Sequence, residues 1–338
     1  MIRIADMLPA RPDRRWDLAR QMGVRHAIVK LHPDLTGAPP PSDIDTLRAS
    51  QAAFASQGLH LAGLEGDQMD MSRIKQGLPG RDADIEAYQR MIRNMGQLGI
   101  RLLCYNWMVG MNWGRTAVDK PIRGGAWSTE YDHALVRDAA PLEGVGRLTQ
   151  EQVWDNYTYF IERVAPLAAE CGVQMGLHPD DPPVPEMRGV GRIFATAGAF
   201  DRAMSLFDGP SHGITFCQAT FGLMPDCGQA GVAPLARRWA HRMPFIHWRD
   251  VAGTSEHFHE TFHDDGPSDM RGLLKVYADA GVDAYIRVDH VPAMAGEQQF
   301  DAGLAGKNTM AAGYETMGRL FAIGYLKGLL EGQDIEFE

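Results

Sequence analysis

The sequence predicts an α/β fold: a single (β/α)8 TIM barrel over residues 1–338, with long loops at the C-terminal face of its strands. A weak internal repeat is the first observation behind this expectation. Five times a helical pattern ends in glycine and runs within one or two residues into an apolar strand: MGVRHAIVKL (22–31), QGLHLAGLEG (57–66), LGIRLLCYNW (98–107), CGVQMGLHP (171–179) and AGVDAYIRVDH (280–290). Glycine just past a helix accepts the left-handed backbone that ends it, and the short gap feeds the next strand, which is the signature of serial βα units. Length is the second, since 338 residues suit one barrel of about 250 residues with insertions. The third is that the three long segments without periodicity, about 107–148, 249–268 and 291–307, all follow strand ends, where such a barrel carries its site.

The remaining units fill in around the repeat. Residues 2–5 supply a first strand, 211–217 (SHGITFC) a sixth and 243–248 (MPFIHW) a seventh. Helices are expected at about 13–22, 43–57, 81–97, 150–170, 198–207, 229–241, 269–280 and 308–331. Thr149 and Gln152 form a capping box at the start of the fourth of these. The apolar last helix, with Leu320, Phe321, Ile323, Leu326 and Leu330, closes the barrel or supports a homodimer.

Composition narrows the function classes. Hydrophobic residues make up 45% and charged residues 22%, which permits a large buried core. A formal net charge of -10 with no basic stripe argues against a nucleic-acid partner. No run approaches the roughly 20 apolar residues of a membrane span, and the first residues lack a signal-peptide core, so a cytoplasmic, non-membrane protein is expected. The four cysteines (Cys104, Cys171, Cys217 and Cys227) are widely spaced, without a C-x-x-C pair. That is neither a disulfide framework nor a zinc-finger pattern.

The chemistry gathers at the ends of strands five to eight. The stretch QMGLHPDDPP (174–183) is an apolar run ending in His178 and stopping at Pro-Asp-Asp-Pro-Pro. The corresponding residues on the next three strands are Cys217, His247 and Asp289. One such residue is more often structural than functional; four on neighbouring strands make a metal site the stronger reading. Two imidazoles, a thiolate and a carboxylate suit Mn, Fe, Co or Zn, whereas Mg and Ca prefer oxygen. His290, beside Asp289, is a candidate acid or base because an imidazole titrates near working pH. Arg249, two residues past His247, could meet an anion by a bidentate pair. Asn106 ends strand four on a substrate-facing wall with Tyr105 and Trp107. Asp180 and Asp181 either bind hydroxyls or form a turn before the prolines. The segment FHETFHDDGPSDM (258–270), with His259 and His263, offers a second metal or a polar substrate pocket.

Taken together, CYNWM (104–108), W-x-R-T (113–116), GLHPDDPP (176–183), ITFCQATFG (214–222), FIHWR (245–249), FHETFHDDGPSDM (258–270), R-x-DH (287–290) and GY…GRL (313–320) resemble the mannonate dehydratases of the iron- or manganese-dependent, xylose-isomerase-like barrel type. The resemblance is colinear over most of the chain. It implies dehydration of D-mannonate to 2-keto-3-deoxy-D-gluconate in hexuronate catabolism, with Mn2+ or Fe2+ on His178, Cys217, His247 and Asp289. It also implies proton transfer by His290 and by Tyr314, a residue that spacing alone does not single out. The chain departs from the family pattern at Cys217-Gln218-Ala219-Thr220, Arg287-Val288-Asp289-His290-Val291 and Ala312-Gly313-Tyr314.

The expectation is a metal-dependent hydro-lyase acting on a small sugar acid, with Asn106, Asp180, Arg249, His259 and His263 contacting substrate. A sugar isomerase or epimerase on the same metal core is the alternative. A non-catalytic sugar- or metal-binding regulator is a third reading, disfavoured by the presence of His290 and Tyr314.

Overall fold

The computed structural model describes residues 1–297 and 312–338. Its strands, in chain order, begin with β1 (Ile2–Met7), β2 (His26–Val29), β3 (His60–Glu65), β4 (Leu102–Asn106), β5 (Ala117–Pro121), β6 (Trp127–Asp132) and β7 (Gln174–His178). They continue with β8 (Glu186–Met187), β9 (Val190–Gly191), β10 (His212–Cys217), β11 (Phe245–Trp248), β12 (Val251–Thr254), β13 (His257–Glu260) and β14 (Ala284–Val288). The helices are α1 (Arg14–Gln21), α2 (Pro33–Thr36), α3 (Ile44–Ser56), α4 (Ser72–Gln76), α5 (Arg81–Leu98) and α6 (Gln150–Glu170). After them come α7 (Ala197–Ser205), α8 (Gln218–Leu223), α9 (Gly228–Trp239), α10 (Met270–Asp279) and α11 (Thr316–Glu331).

Eight of the strands close a barrel in the order β1-β14-β11-β10-β7-β4-β3-β2, and every pairing in it is parallel. This is the (β/α)8 barrel expected from the repeat. Gly23, Gly58, Gly99, Gly172 and Gly281, the glycines of that repeat, all have φ between 64° and 78°, where a side chain would be strained. The Thr149–Gln152 capping box forms in both directions, at 3.2 and 2.9 Å.

Because strand side chains alternate, each barrel strand splits its residues between two environments. Leu103, Tyr105, Met175, Leu177, Ile214, Phe216, Ile246 and Trp248 point outward and join the main core under the helices. Ala5, Ile28, Ala62, Leu102, Cys104 and Phe245, one or two from each of five strands, form a separate cluster that fills the barrel below the site. The next inward position at the strand tops is therefore the first that can face a cavity, and there polar residues replace apolar ones. Helix α11 buries Ile323, Leu326 and Leu330 while packing on β14 and α10, so its apolar face closes the barrel.

Two of the expected loops are not separate loops. Segment 107–148 contributes β5 and β6, segment 249–268 contributes β12 and β13, and together they make one antiparallel sheet in the order β12-β13-β6-β5. Tyr131 pairs with Phe258 across it, and both pack with Val251 on Ala219, Leu223, Val184 and Met187. The strands escaped sequence reading because each is short, and the pairing that joins the two hairpins, β6 with β13, links segments far apart in the chain. From segment 291–307, Ala293 bridges to Trp127, while residues 298–307 lie outside the described residues. The expected helix at 308–331 is described from Thr316, its first residues 308–311 lying outside the description. No helix among the described residues is long and apolar enough to cross a membrane.

Candidate active site and metal centre

Under the antiparallel sheet lies a cavity of about 910 Å3, lined among others by Asn106, Trp113, Arg115, His247, His290 and Tyr314. Four strands converge at its floor. His178 ends β7, Cys217 ends β10, His247 is the third residue of β11, and Asp289 follows β14. One donor atom from each lies within 4.8 Å of the others. The parallel register causes this: Cys217 pairs with His247, and His247 with Arg287, two residues before Asp289.

The bonding of these side chains fits a transition metal. His178 Nδ1 meets the Pro179 carbonyl at 2.7 Å, a contact in which it donates, leaving Nε2 with its lone pair. Burial lowers the His178 pKa despite nearby Asp289, Asp181 and Glu65, which favours the neutral, ligating form. Both ring nitrogens of His247 are buried without a hydrogen-bond partner, a costly state that a ligand on one nitrogen would relieve. Asp289 is held well below the usual carboxylate range: burial works against ionisation, but Arg287, His290 and His247 outweigh it. A carboxylate, two imidazoles and a cysteine sulfur form a donor set for a borderline-soft divalent cation.

Beside this cluster stands a buried ion network. Arg115 holds Asp181 with two bonds of 2.8 and 3.1 Å, and Arg249 reaches the same carboxylate at 2.8 Å. Glu260 pairs with Arg115 and lies 3.6 Å from Arg249 Nε. Burial alone would raise Glu260, but Arg249, His290 and Arg115 bring it down to about 2; Asp181 is held far below its ordinary range, the same two arginines overcoming burial. Both are therefore anions at neutral pH.

His290 joins the network to the cavity. Its Nδ1 is 2.9 Å from Glu260 Oε1 and its Nε2 is 3.1 Å from the Tyr314 hydroxyl. Arg249 and Arg115 also approach Nδ1, at 2.9 and 3.2 Å, in addition to donating to Asp181. A carboxylate acceptor beside Nδ1 favours the tautomer with its proton there and a free lone pair on Nε2. Tyr314 also touches Asp289 Oδ1 at 3.2 Å, linking the His290–Tyr314 pair to the donor cluster. Its position depends on backbone: Val291 N donates to Gly313 O at 2.7 Å, and Gly313 has φ +95° with His290 Cβ 3.7 Å from where its own Cβ would be.

The structure separates the residues expected to contact substrate. Asn106 lines the cavity, and its Oδ1 accepts from Lys75 Nζ at 3.1 Å. Arg249 also lines it; it donates to Asp181 at 2.8 Å, while its Nε is buried without a hydrogen-bond partner. Asp180, His259 and His263 do not line the cavity. Asp180 turns away and accepts from Phe194 N at 2.8 Å, while the adjacent Asp181 faces inward, since neighbouring residues in extended chain point opposite ways. His259 is half-buried on β13, opposite Ala252. His263 is buried behind β11, its Nε2 2.8 Å from Trp248 O. Glu260, between them, is the residue of that segment that reaches His290. Glu65, at the end of β3, also lines the cavity; carrying the strand-end reading to the third strand would have pointed to it.

A closed parallel barrel that brings His290 and Tyr314 against a donor cluster of two histidines, a cysteine and an aspartate defines a (β/α)8-barrel protein with a candidate metal centre at the C-terminal ends of its strands. The sequence profile of D-mannonate dehydratase (UxuA) matches residues 16–149 and 140–337. Mannonate dehydratase 1 of Bacillus licheniformis is 32% identical over 300 residues, covering 79% of this chain and 80% of that one. The mannonate dehydratase of Shouchella clausii is 30% identical over 346 residues, covering 93% and 92%. The crystal structure of mannonate dehydratase from Streptococcus suis serotype 2 superposes with a TM-score of 0.86 at 26% identity, covering 98% of this chain and 95% of that one. The chain belongs to the D-mannonate dehydratase family, and its reaction class is sugar-acid dehydration rather than isomerisation or epimerisation.

Proposed function

We propose that the protein dehydrates D-mannonate to 2-keto-3-deoxy-D-gluconate, with His178, Cys217, His247 and Asp289 holding a divalent cation, Mn2+ or Fe2+. The observation that carries this reading is the His290–Tyr314 contact of 3.1 Å directly beside Asp289. This contact supports a base and an acid acting together next to the donor cluster. When bound, the cation supplies Lewis-acid polarisation of the substrate carboxylate and α-hydroxyl, which acidifies the hydrogen on C2.

The protein's own groups do the rest. Glu260 accepts Nδ1–H of His290 and so presents the Nε2 lone pair to the cavity. That nitrogen takes the C2 proton, while the Tyr314 hydroxyl gives its proton to the departing 3-hydroxyl, and water leaves. The proton held on His290 then returns to Tyr314 across their contact, and the enol becomes the 2-keto acid by moving its hydroxyl proton to C3. Asn106 lines the wall of the same cavity and offers hydrogen bonds to sugar hydroxyls.

Purified protein loaded with Mn2+ or Fe2+, incubated with a panel of aldonic acids, should release a 2-keto-3-deoxy acid from D-mannonate, detectable by the thiobarbiturate colour reaction. Turnover of aldoses or ketoses without any keto-deoxy product would defeat the proposal.

A further inference from the structure

We infer that Glu65, gripped by Arg287, is a positioning residue that fixes the His247 ring by accepting its Nε2–H, so that Nδ1 is the nitrogen presented to the donor cluster. This rests on the metal centre proposed above.

His247 is 1% exposed, and its two nitrogens face two different carboxylates. Nδ1 is 3.4 Å from Asp289 Oδ2, and Nε2 is 3.5 Å from Glu65 Oε1. Neither contact is aligned as a hydrogen bond. A neutral imidazole has one lone pair and one N–H, so it can satisfy both sides only by ligating with one nitrogen and donating with the other. Asp289 belongs to the donor cluster and Glu65 does not; the ligating side is therefore Nδ1 and the donating side Nε2.

Arg287 explains why Glu65 is suited to that task. Its Nε bonds Glu65 Oε2 at 3.1 Å and its second terminal nitrogen bonds Oε1, while the first bonds Asp289 Oδ1 at 2.7 Å. One rigid guanidinium thus holds both carboxylates that flank the ring. His178 needs no such brace, because the Pro179 carbonyl already takes its Nδ1–H. The two histidines consequently present opposite nitrogens.

Glu65, Cys104 and His247 also bring donor atoms within 4.8 Å of one another, which raises the alternative of a second cation. Arg287 argues against it, since its positive charge engages both oxygens of Glu65 but only Oδ1 of Asp289, which keeps Oδ2 for the donor cluster.

The test compares wild type with Glu65→Ala and Glu65→Gln by Co2+ and Mn2+ competition against a chromophoric chelator, and by the visible spectrum of the Co2+ protein. Glu65→Ala should weaken binding about 10- to 100-fold and shift the Co2+ bands, with Glu65→Gln closer to wild type because its amide oxygen can still accept. Every form should bind one equivalent. Should Glu65→Ala fail to fold, nitrogen-15 NMR of the metal-free wild type gives the tautomer directly, with the His247 signals assigned by their loss in His247→Gln; a proton on Nε2 is expected. Unchanged affinity and spectrum in Glu65→Ala, a proton on Nδ1, or two equivalents in wild type falling to one in Glu65→Ala would each overturn the inference. Wild type that binds one equivalent but dehydrates no acid would refute the proposed function while leaving this inference standing. Wild type that binds none would overturn both.

Discussion

His290 Nε2 and the Tyr314 hydroxyl lie 3.1 Å apart although 24 residues separate them in sequence. The contact pairs two residues that lie outside the strands, and they are the base and acid of the proposed reaction. Tyr314→Phe keeps the ring against Trp113 and His290 and removes only the proton donor. It should lower kcat by about 10²- to 10⁴-fold with KM and bound metal little changed. Steady-state rates on D-mannonate, with metal content measured on the same sample, check this; an unaltered kcat would remove Tyr314 from the chemistry.

Asp181 is the joint of the buried ion network, meeting both Arg115 and Arg249. All three side chains are at most 3% exposed. Asp181→Asn leaves two buried guanidinium groups sharing Glu260, with Asp289 3.5 Å from Arg249 alone. Breaking a buried pair from one side costs about 3–5 kcal/mol. The variant's urea midpoint should fall accordingly, whereas a shift within error would show that water already screens these charges.

The barrel was legible because its signal is local and repeated: each helix end, its glycine and the following strand are adjacent in the chain. The donor cluster was legible for a related reason, since a parallel register carries equivalent strand ends to one face. What stayed hidden depends on contacts between distant segments. Sequence shows two adjacent aspartates at 180 and 181, but not which one faces inward. It shows His259, Glu260 and His263 in one run, but not that the β6–β13 pairing aims Glu260 at His290. Tyr314 came only through family resemblance, because its place is set by the backbone bond between Val291 and Gly313.

His212, buried on β10 well below the site, gives the native state a pH dependence. Its pKa is pushed down from 6.5 to about 4, by burial first and by Arg242 second, and its Nε2 is 3.0 Å from the Tyr157 hydroxyl. Above pH 6.5 the ring is neutral folded or unfolded, and its contribution is complete. As pH falls from 6.5 to 4, the unfolded chain takes up a proton that the folded chain refuses, and stability drops by up to about 3 kcal/mol. His212→Gln should flatten this part of the curve. Urea unfolding of both proteins at several pH values across that window checks it, and parallel curves would show that His212 does not carry the effect.

Metal removal should loosen the fold and identify the sulfur donor. A cation that binds only the folded chain stabilises it by about 2.7 kcal/mol at a hundred times its Kd, so chelator-treated protein should melt lower and recover on adding Mn2+ or Co2+. Cysteine is the softest donor in the cluster, so Cys217→Ser should reduce Co2+ affinity more than Mn2+ affinity and narrow the preference between them. It should also abolish the near-ultraviolet thiolate-to-cobalt band. Cys104 provides the decisive control: it lines the same cavity, is buried, and shares His247 with the Glu65 group. A band that survives in Cys217→Ser and vanishes in Cys104→Ser would move the metal toward β3 and β4, and Glu65 would then be a ligand rather than a brace.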